Sequence, residues 1–481
     1  MGAEVQKLFE NYKLNVNGVV ANVDIVQRKD EFTLGYNVNI LNVSPSTKLI
    51  LEKIREEFIS KVNIGEVEFE EGGGDVIRDK FKKEIMHLIK KYFPSINEET
   101  SDSMINYLIQ QNIGFGDIDI LLKDGFLEEI VVNTATEPVW AYHKKYGWLQ
   151  TNIIIPTEAR IRHYSTMIGR DVGKDINVLN PLMDAHLKSG DRVNATLLPI
   201  STKGNTITIR KFAEKPWTIT DFLKAGTMSF DQAAFTWLCM QHELSALIAG
   251  GTGSGKTSTL NVLANFFPPN QRIISIEDTR EITLPKTLHW VPMETRNPNP
   301  EGKGGVTMLD LVVNSLRMRP DRILVGEIRR KAEAEVLFEA MHTGHSVYAT
   351  IHANNAEETI MRLTNPPIDI PKAVLPALSL LLCQNRNRRT GKRRTLQLAE
   401  ITPTGDARVL LQLDVGKDQI KTLAKSKHIY DTLNLYTGMQ EKEIDKDLKE
   451  KIDILKWLVK KNICDVHEIG YIFAKYYTQN L

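Results

Sequence analysis

Cysteine is scarce in this sequence. Its three cysteines, Cys239, Cys383 and Cys464, lie far apart in the 481-residue chain, and they form no Cys-x-x-Cys pair. This usage excludes a disulfide framework and a four-cysteine metal site. It is typical of a protein that keeps free thiols in a reducing compartment.

Long hydrophobic stretches are missing too. The longest strongly apolar stretch, residues 373–383, is too short to span a bilayer and contains Pro376. The N-terminus lacks the apolar segment of a secretory signal. We therefore expect a cytoplasmic protein, and we expect any contact with a membrane to be peripheral.

An excess of one charge is the third absence. The chain has 61 lysines and arginines against 60 aspartates and glutamates. This balance gives no support for nucleic-acid binding, because a strand-tracking channel needs a basic lining. The composition is otherwise that of a globular protein, and the length leaves room for two or more domains.

The most informative stretch that is present is a glycine-rich turn between an apolar run and a helical pattern. It reads Gly250-Gly251-Thr252-Gly253-Ser254-Gly255-Lys256-Thr257-Ser258. A strand, this turn and a helix in that order predict a phosphate-binding loop, in which backbone N–H groups and the positive end of the helix face the phosphates. Lys256 can then reach the β- and γ-phosphates, and the Thr257 hydroxyl can ligate Mg²⁺.

Two apolar segments downstream of this loop lead into carboxylates. Residues 272–276 are followed by Glu277, and residues 322–326 are followed by Glu327. Ligands of open α/β sheets bind at the carboxyl ends of the parallel strands, so both acids are candidates for orienting a water molecule. The residues alone do not decide between the two acids, and either could be an ordinary polar residue at a strand end.

Histidines and a basic run come next. His345 and His352 are poor zinc ligands because no cysteine accompanies them, and they are either sensors of the γ-phosphate or ordinary turn residues. The basic run is Arg386, Arg388, Arg389, Lys392, Arg393 and Arg394. Most such runs are solvated loops, and the alternatives are a subunit contact or attraction to anionic lipid headgroups.

Strand and helix patterns divide the chain into segments. Residues 1–70 are predicted as a small mixed element, residues 75–230 as an α+β domain, and residues 231–481 as an α/β domain. A hinge-like linker at residues 70–75 and a polar connector at residues 214–244 are predicted between them.

The third segment alternates strands with helices from residue 245 to about residue 402, which predicts a largely parallel sheet. From about residue 430 the chain is predicted to form a helical tail. Apolar residues recur at helical spacing over residues 444–459 and again over residues 466–476. We expect these two amphipathic helices to pack on the core of the same chain.

Four ordered motifs resemble those of the type II/type IV secretion ATPases. Residues 250–257, 276–281, 316–329 and 343–353 are similar to the Walker A motif, Asp box, Walker B motif and His box of these hexameric motors. Residues 115–118 and 190–195 resemble the nucleotide-capping N-terminal domain of the family. The insert at residues 294–305 and the helical tail are similar to the archaeal branch, which drives archaella and type IV pili.

The resemblance implies a fold and a set of site residues. The fold is a RecA-like P-loop NTPase domain (α/β) with a separate α+β N-terminal domain and a helical C-terminal tail. The implied catalytic and sensing residues are Glu277, Glu327, Arg192, Arg210, His345 and His352. ATP would bind at residues 250–258, with Mg²⁺ near Thr257 and Glu327. Bacterial type II members often carry a tetracysteine zinc module that this chain lacks, so we expect no zinc.

The function that follows from the resemblance is an ATP-hydrolysing motor. It implies a homo-hexamer that works with a polytopic membrane platform protein at the inner face of the cell membrane, without nucleic acid. ATP would draw the N-terminal and RecA-like domains together, with a hinge near residues 214–240. The alternatives are a RecA-like nucleic-acid translocase and a nucleotide-gated scaffold that binds without turnover.

Overall fold

A computed structural model of the protein describes residues 5–29, 31–41, 43–61, 74–187, 189–212, 215–298 and 302–479. The described chain divides into two compact units, residues 1–214 and residues 215–481. The division falls at the start of the connector that the sequence predicts. Residues 70–73 of the hinge-like linker predicted at residues 70–75 lie outside the described residues. The last two residues of that range begin a helix at Gly74.

The first unit is built on a mostly antiparallel sheet. Its strands are β1 (Val5–Val16), β2 (Val19–Arg28), β3 (Gly35–Ile40), β4 (Leu127–Val132), β5 (Pro138–His143), β6 (Gly147–Ile154), β7 (Leu182–His186), β8 (Arg192–Thr196) and β9 (Thr206–Arg210). Among the described residues the strand order is β1-β2-β3-β6-β5-β4-β9-β8-β7. Strand β3 pairs in parallel with β6, so β1–β3 continue the sheet of β4–β9. The structure therefore has one unit where the sequence predicts a separate element over residues 1–70.

Helices complete the first unit. They are α1 (Pro45–Lys61), α2 (Gly74–Tyr92), α3 (Glu98–Ile113), α4 (Ile118–Lys123) and α5 (Glu158–Asp171). Apolar residues of α1, α2 and α3 form a cluster of their own around Leu51, Leu88 and Leu108. On the sheet, alternate residues of β2 such as Ala21, Val23 and Ile25 are buried, as expected of a strand with one covered face.

The second unit contains a sheet whose centre is parallel, as predicted. Its strands are β10 (Ala246–Gly250), β11 (Arg272–Glu277), β12 (His289–Glu294), β13 (Arg322–Val325), β14 (Ser346–Ile351), β15 (Leu380–Arg386), β16 (Arg393–Ile401), β17 (Ala407–Asp414) and β18 (Gln419–Thr422). In the described chain the order is β12-β11-β13-β14-β10-β15-β16-β17-β18. The six strands from β12 to β15 in this sheet order, which include β11, β13, β14 and β10, run parallel to one another. Strands β16, β17 and β18 extend the sheet with antiparallel pairing. Strand β14 lies between the phosphate-loop strand β10 and strand β13, which is the RecA-like arrangement.

Helices cover both faces of this sheet. They are α6 (Ile219–Lys224), α7 (Phe230–Gln241), α8 (Lys256–Ala264), α9 (Met308–Ser315), α10 (Lys331–His342), α11 (Ala356–Thr364), a short 3-10 helix (Lys372–Ala377), α12 (His428–Thr437), α13 (Glu441–Lys461) and α14 (Val466–Gln479). Residues of β10 are buried along its whole length, because covered parallel strands expose neither face.

The helical tail packs on the core of its own unit, which confirms the sequence prediction. Trp237 of α7 stacks on Phe266 and meets the ring of Phe473 edge-on, at centroid distances of 5.4 and 4.6 Å. Its indole N–H donates to the Tyr477 hydroxyl over 2.8 Å. Every described helix is too short or too polar to cross a lipid bilayer.

Candidate functional site

The phosphate loop has the backbone that its glycines predict. Strand β10 ends at Gly250, and helix α8 begins at Lys256. Gly253 and Gly255 have φ values of +71° and +94°, in the left-handed region that side chains disfavour. A Cβ at Gly250 would lie 2.3 Å from the Ser254 hydroxyl, so the turn closes only on a glycine.

The Lys256 ammonium lies between this loop and a histidine. Its Nζ donates to the Gly251 carbonyl over 3.1 Å, and it is 3.4 Å from Nε2 of His352. His352 follows β14, which pairs with β10 so that Ile351 lies beside Ala249. Burial lowers the pKa of Lys256, against the charge of nearby acids, and burial together with Lys256 lowers the pKa of His352.

A series of contacts leads from His352 to Glu327 and then, through Arg329, to Asp278. His352 Nε2 is 3.2 Å from Oε1 of Glu327, and Arg329 donates from Nε and Nη2 to Oε2 of Glu327 over 2.9 and 2.7 Å. Arg329 Nη1 donates in turn to Asp278. These contacts link Lys256 of the phosphate loop to a carboxylate that a guanidinium holds in place from two of its nitrogens.

Glu277 is the last residue of β11, as the sequence predicts. Its side chain is buried, and Oε1 accepts hydrogen bonds from the backbone N–H groups of Glu281 and Ile282 over 2.9 and 3.0 Å. Burial raises the pKa of Glu277 to about 7, although these backbone hydrogen bonds favour the ionised form. A carboxyl group with this pKa can exchange a proton near neutral pH.

The structure does not bring His345 to this cluster. His345 precedes β14 and His352 follows it, so the six-residue strand separates the two histidines. A strand of that length spans about 20 Å. His352 is the histidine that lies beside Lys256 of the phosphate loop, and sensing of the γ-phosphate by His345 stays a prediction.

Arg192 and Arg210 lie in the first unit, on β8 and β9. They occupy directly opposite positions in the antiparallel pair. Arg192 donates from Nε and Nη2 to the two carboxylate oxygens of Asp184 over 3.0 and 2.6 Å, which lowers the pKa of Asp184. Their action on a nucleotide stays a prediction.

The structure adds residues that the sequence did not single out. Arg329 holds Glu327, and the spacing Glu-x-Arg after an apolar strand was the available signal. Arg386 and Arg393, from the basic run, lie against Gly253 of the phosphate loop. The sequence showed these two residues only as members of a run whose ordinary interpretation is a solvated loop.

A magnesium ion fits the residues that the sequence assigns to it only if a nucleotide also ligates the ion. Thr257 is the second residue of α8, and Glu327 is linked to Lys256 through His352. A hydroxyl and a carboxylate are the oxygen ligands that Mg²⁺ prefers. Within the described residues no group of three histidine, cysteine or acidic side chains could hold a metal by itself, so phosphate oxygens and water would complete the coordination.

Comparisons with known proteins agree with these motifs. Residues 183–418 match the family described as Type II/IV secretion system protein. The chain is 33% identical over 406 residues to the uncharacterized protein MJ0900 of Methanocaldococcus jannaschii, covering 80% of this chain and 72% of that protein. It is 32% identical over 260 residues to the type IV secretion system protein PtlH of Bordetella pertussis, covering 50% of this chain and 76% of that protein. The solved ATPase DotB of Yersinia pseudotuberculosis is similar with a TM-score of 0.45 at 16% identity, over 74% of this chain and 92% of that chain.

Proposed function

Because the chain belongs to the type II/IV secretion ATPase superfamily, we propose that it hydrolyses ATP at the loop of residues 250–258. The observation that carries the proposal is the series of contacts from Lys256 through His352 to Glu327. A phosphate loop binds nucleotide, and hydrolysis also needs a carboxylate close to the γ-phosphate. This series of contacts supplies that carboxylate beside the lysine that reaches the γ-phosphate.

We assign different roles to the two acids. Glu327 orients the attacking water, because it lies next to the Lys256–His352 pair and Arg329 fixes its orientation. Glu277 holds the turn that follows β11, because its Oε1 binds the N–H groups of Glu281 and Ile282. His352 is the proposed γ-phosphate sensor, since its ring touches both Lys256 and Glu327.

The bound ion and additional positive groups complete the proposal. Thr257 and Glu327 would hold Mg²⁺, and the ion would neutralise charge on the phosphates. Arg192 and Arg210 supply positive charge during turnover, as the resemblance to the family implies. Supplying an arginine from a separate element makes charge stabilisation conditional on a conformational step.

At the level of the cell, we propose a cytoplasmic homo-hexamer at the inner face of the membrane. It would act on a polytopic membrane platform protein and so power the assembly of type IV pilus-like or archaellum filaments, or secretion. The similarity to PtlH of Bordetella pertussis, a type IV secretion system protein, supports this assignment. The archaeal filaments are favoured by the resemblance of the insert and the tail.

Steady-state phosphate release from ATP tests the proposal. We expect the full chain to release phosphate, the Lys256→Ala variant to release none above background, and both to show the same thermal unfolding. Lys331→Ala is the matched control, because Lys331 is an exposed lysine of the same unit that pairs with Asp369. Equal turnover in Lys256→Ala would contradict the proposal.

Two further measurements test the oligomer and the alternative function. We expect a particle of six chains in the presence of a non-hydrolysable ATP analogue, measured by light scattering. We also expect the rate to be the same with and without added single-stranded DNA or RNA. Strong stimulation by either nucleic acid would favour the translocase instead.

A further inference from the structure

The basic run of residues 386–394 is a hairpin whose members point to different partners. Strands β15 and β16 pair so that Arg386 lies directly opposite Arg393. Between them the chain turns on Asn387, whose Oδ1 accepts hydrogen bonds from the N–H groups of Arg389 and Thr390. Arg388 and Arg389 are exposed at the tip of this turn. The run is therefore not one uniform basic surface.

Arg394 has a structural partner away from the phosphate loop. Its Nε and Nη2 donate to the carboxylate of Asp418 over 2.8 and 3.0 Å, and its Nη1 donates to the Ala225 carbonyl over 2.9 Å. These contacts join the hairpin to α6 and to the turn before β18. Arg394 thus stabilises the hairpin itself.

Arg386 and Arg393 face the phosphate loop instead. Arg393 Nε donates to the carbonyl of Gly253 over 3.0 Å. A Cβ built on Gly253 would lie 3.0 Å from Nη1 of Arg386, and one built on Gly255 would lie 3.5 Å from Cδ of Arg393. Both guanidinium groups therefore approach the middle of the loop, where the glycines leave room for them.

Positive charge accumulates at this point of the second unit. Lys256 and the N-terminus of α8 contribute from the loop, and Arg386 and Arg393 contribute from the hairpin. Guanidinium groups bind phosphate through paired N–H donors, so this arrangement of cationic side chains suits a polyanion.

We propose that Arg386 and Arg393 bind the phosphates of the nucleotide held by the loop of the same chain. This inference rests on the proposed function, because it takes the ligand to be a nucleoside di- or triphosphate. The loop N–H groups cradle the α- and β-phosphates, and Gly253 belongs to that part of the loop. The two arginines therefore contact phosphates that ADP and ATP share, so they act on the binding of both nucleotides.

Calorimetric titration of the full chain with ADP and Mg²⁺ tests this proposal. The double variant Arg386→Ala, Arg393→Ala should raise the Kd for ADP by about 10- to 100-fold, the loss expected for hydrogen bonds to charged groups. The matched control is Arg388→Ala, Arg389→Ala, which also removes two positive charges, but from the exposed tip of the same hairpin. This control should change the Kd for ADP less than about twofold, because salt screens exposed charges.

A salt series separates phosphate binding from a merely structural role. The Kd of the wild type should rise with salt more steeply than that of Arg386→Ala, Arg393→Ala, because the alanine variant has lost charge at the ligand. The variant Arg386→Lys, Arg393→Lys keeps the charge and should keep the steeper slope. If the lysine variant loses as much affinity as the alanine variant, with the same slope in both, the hairpin only shapes the loop and the proposal is overturned.

The remaining outcomes are distinguishable. A wild-type chain that binds neither ADP nor ATP would remove the proposed function itself. A wild-type chain that binds ADP, with equal affinity in both double alanine variants, would overturn this inference and leave the proposed function intact.

Discussion

Each unit carries, among its described residues, a pair of arginines that face each other across antiparallel strands. In the first unit, Arg192 lies opposite Arg210, and Arg192 is bonded to the Asp184 carboxylate. In the second, Arg386 lies opposite Arg393, and Arg393 is bonded to a neutral carbonyl of the phosphate loop. The register is alike in the two pairs, and the second pair lies in the unit that carries the phosphate loop.

This difference suggests how the two pairs divide their work. Arg192 and Arg210 belong to the first unit and the phosphate loop belongs to the second, so their contribution depends on a conformational step. An arginine held by a carbonyl of the phosphate loop is in place before the nucleotide arrives. We therefore infer that the first pair acts in turnover and the second pair acts in binding.

The largest effect is expected from Glu327→Gln. Because this variant should hydrolyse ATP slowly, it would allow the two arginine pairs to be compared with ATP as the bound ligand. The amide keeps the size of the side chain and removes the charge that orients water, so kcat should fall by about 1,000-fold. The Kd for ATP should stay within a few fold. Glu335→Gln, an exposed change on α10, is the control, and equal phosphate release by Glu327→Gln and the wild type would remove Glu327 from catalysis.

Arg192→Ala and Arg210→Ala test the first pair. Each should lower kcat by about 10- to 100-fold, because an arginine that stabilises the transferring phosphoryl group acts in the transition state. The Kd for ADP should change less than about twofold, in contrast to the hairpin variants. Arg162→Ala, at an exposed position of α5, is the control. An ADP affinity reduced as strongly as in the hairpin variants would erase the distinction between the pairs.

Local sequence was sufficient where the site depends on consecutive residues. The order of apolar run, glycine-rich turn and helical pattern predicted the phosphate loop, and the structure has β10, the turn and α8 in that order. The apolar runs before Glu277 and Glu327 predicted strands, and both acids lie at the carboxyl ends of β11 and β13. The alternation of strands and helices also predicted the parallel sheet.

The positions of side chains relative to one another along and across strands could not be predicted from the sequence. His345 and His352 are close in sequence, yet β14 separates them because an extended chain moves about 3.3 Å per residue. Arg386 and Arg393 are seven residues apart and become neighbours because a hairpin reverses the chain. The run of basic residues gave no indication of which members would face the loop, since register depends on the turn and on the covered face.

The two arginine pairs should be compared at one fixed pH, because the protonation of Glu277 makes the stability of the chain depend on pH. Burial raises its pKa in the folded chain from 4.5 to about 7. The stability that this proton binding provides is present below pH 4.5 and is lost as the pH rises through 7. Glu277→Gln cannot ionise, so it should match the wild type at pH 4.5 and exceed its unfolding free energy by about 1–3 kcal/mol at pH 8.

Thermal or urea unfolding at both pH values checks this prediction. Glu335→Gln is a suitable control, because Glu335 is an exposed carboxylate of the same unit. A Glu277→Gln variant that is less stable than the wild type at pH 8 would contradict the raised pKa.

Arg394→Ala should give the smallest effect and sharpen the comparison within the hairpin. Removing its contacts with Asp418 and the Ala225 carbonyl should lower the free energy of unfolding by about 1 kcal/mol, because the pair is only partly shielded from solvent. The Kd for ADP should be unchanged. A loss of ADP affinity like that of the Arg386 and Arg393 variants would show that charge anywhere in the hairpin is sufficient.

Tyr477 of the helical tail also connects the end of the phosphate-loop helix to the indole of Trp237. Phe266 follows the end of α8, its carbonyl accepts a hydrogen bond from Tyr477, and the same hydroxyl accepts the N–H of Trp237 over 2.8 Å. Trp237 is fully buried and stacks on the Phe266 ring. A natural fluorophore is thus attached to the far end of the element that receives the nucleotide. In a variant that keeps Trp237 as its single tryptophan of the six in the chain, the emission would report motion of that helix without an added label.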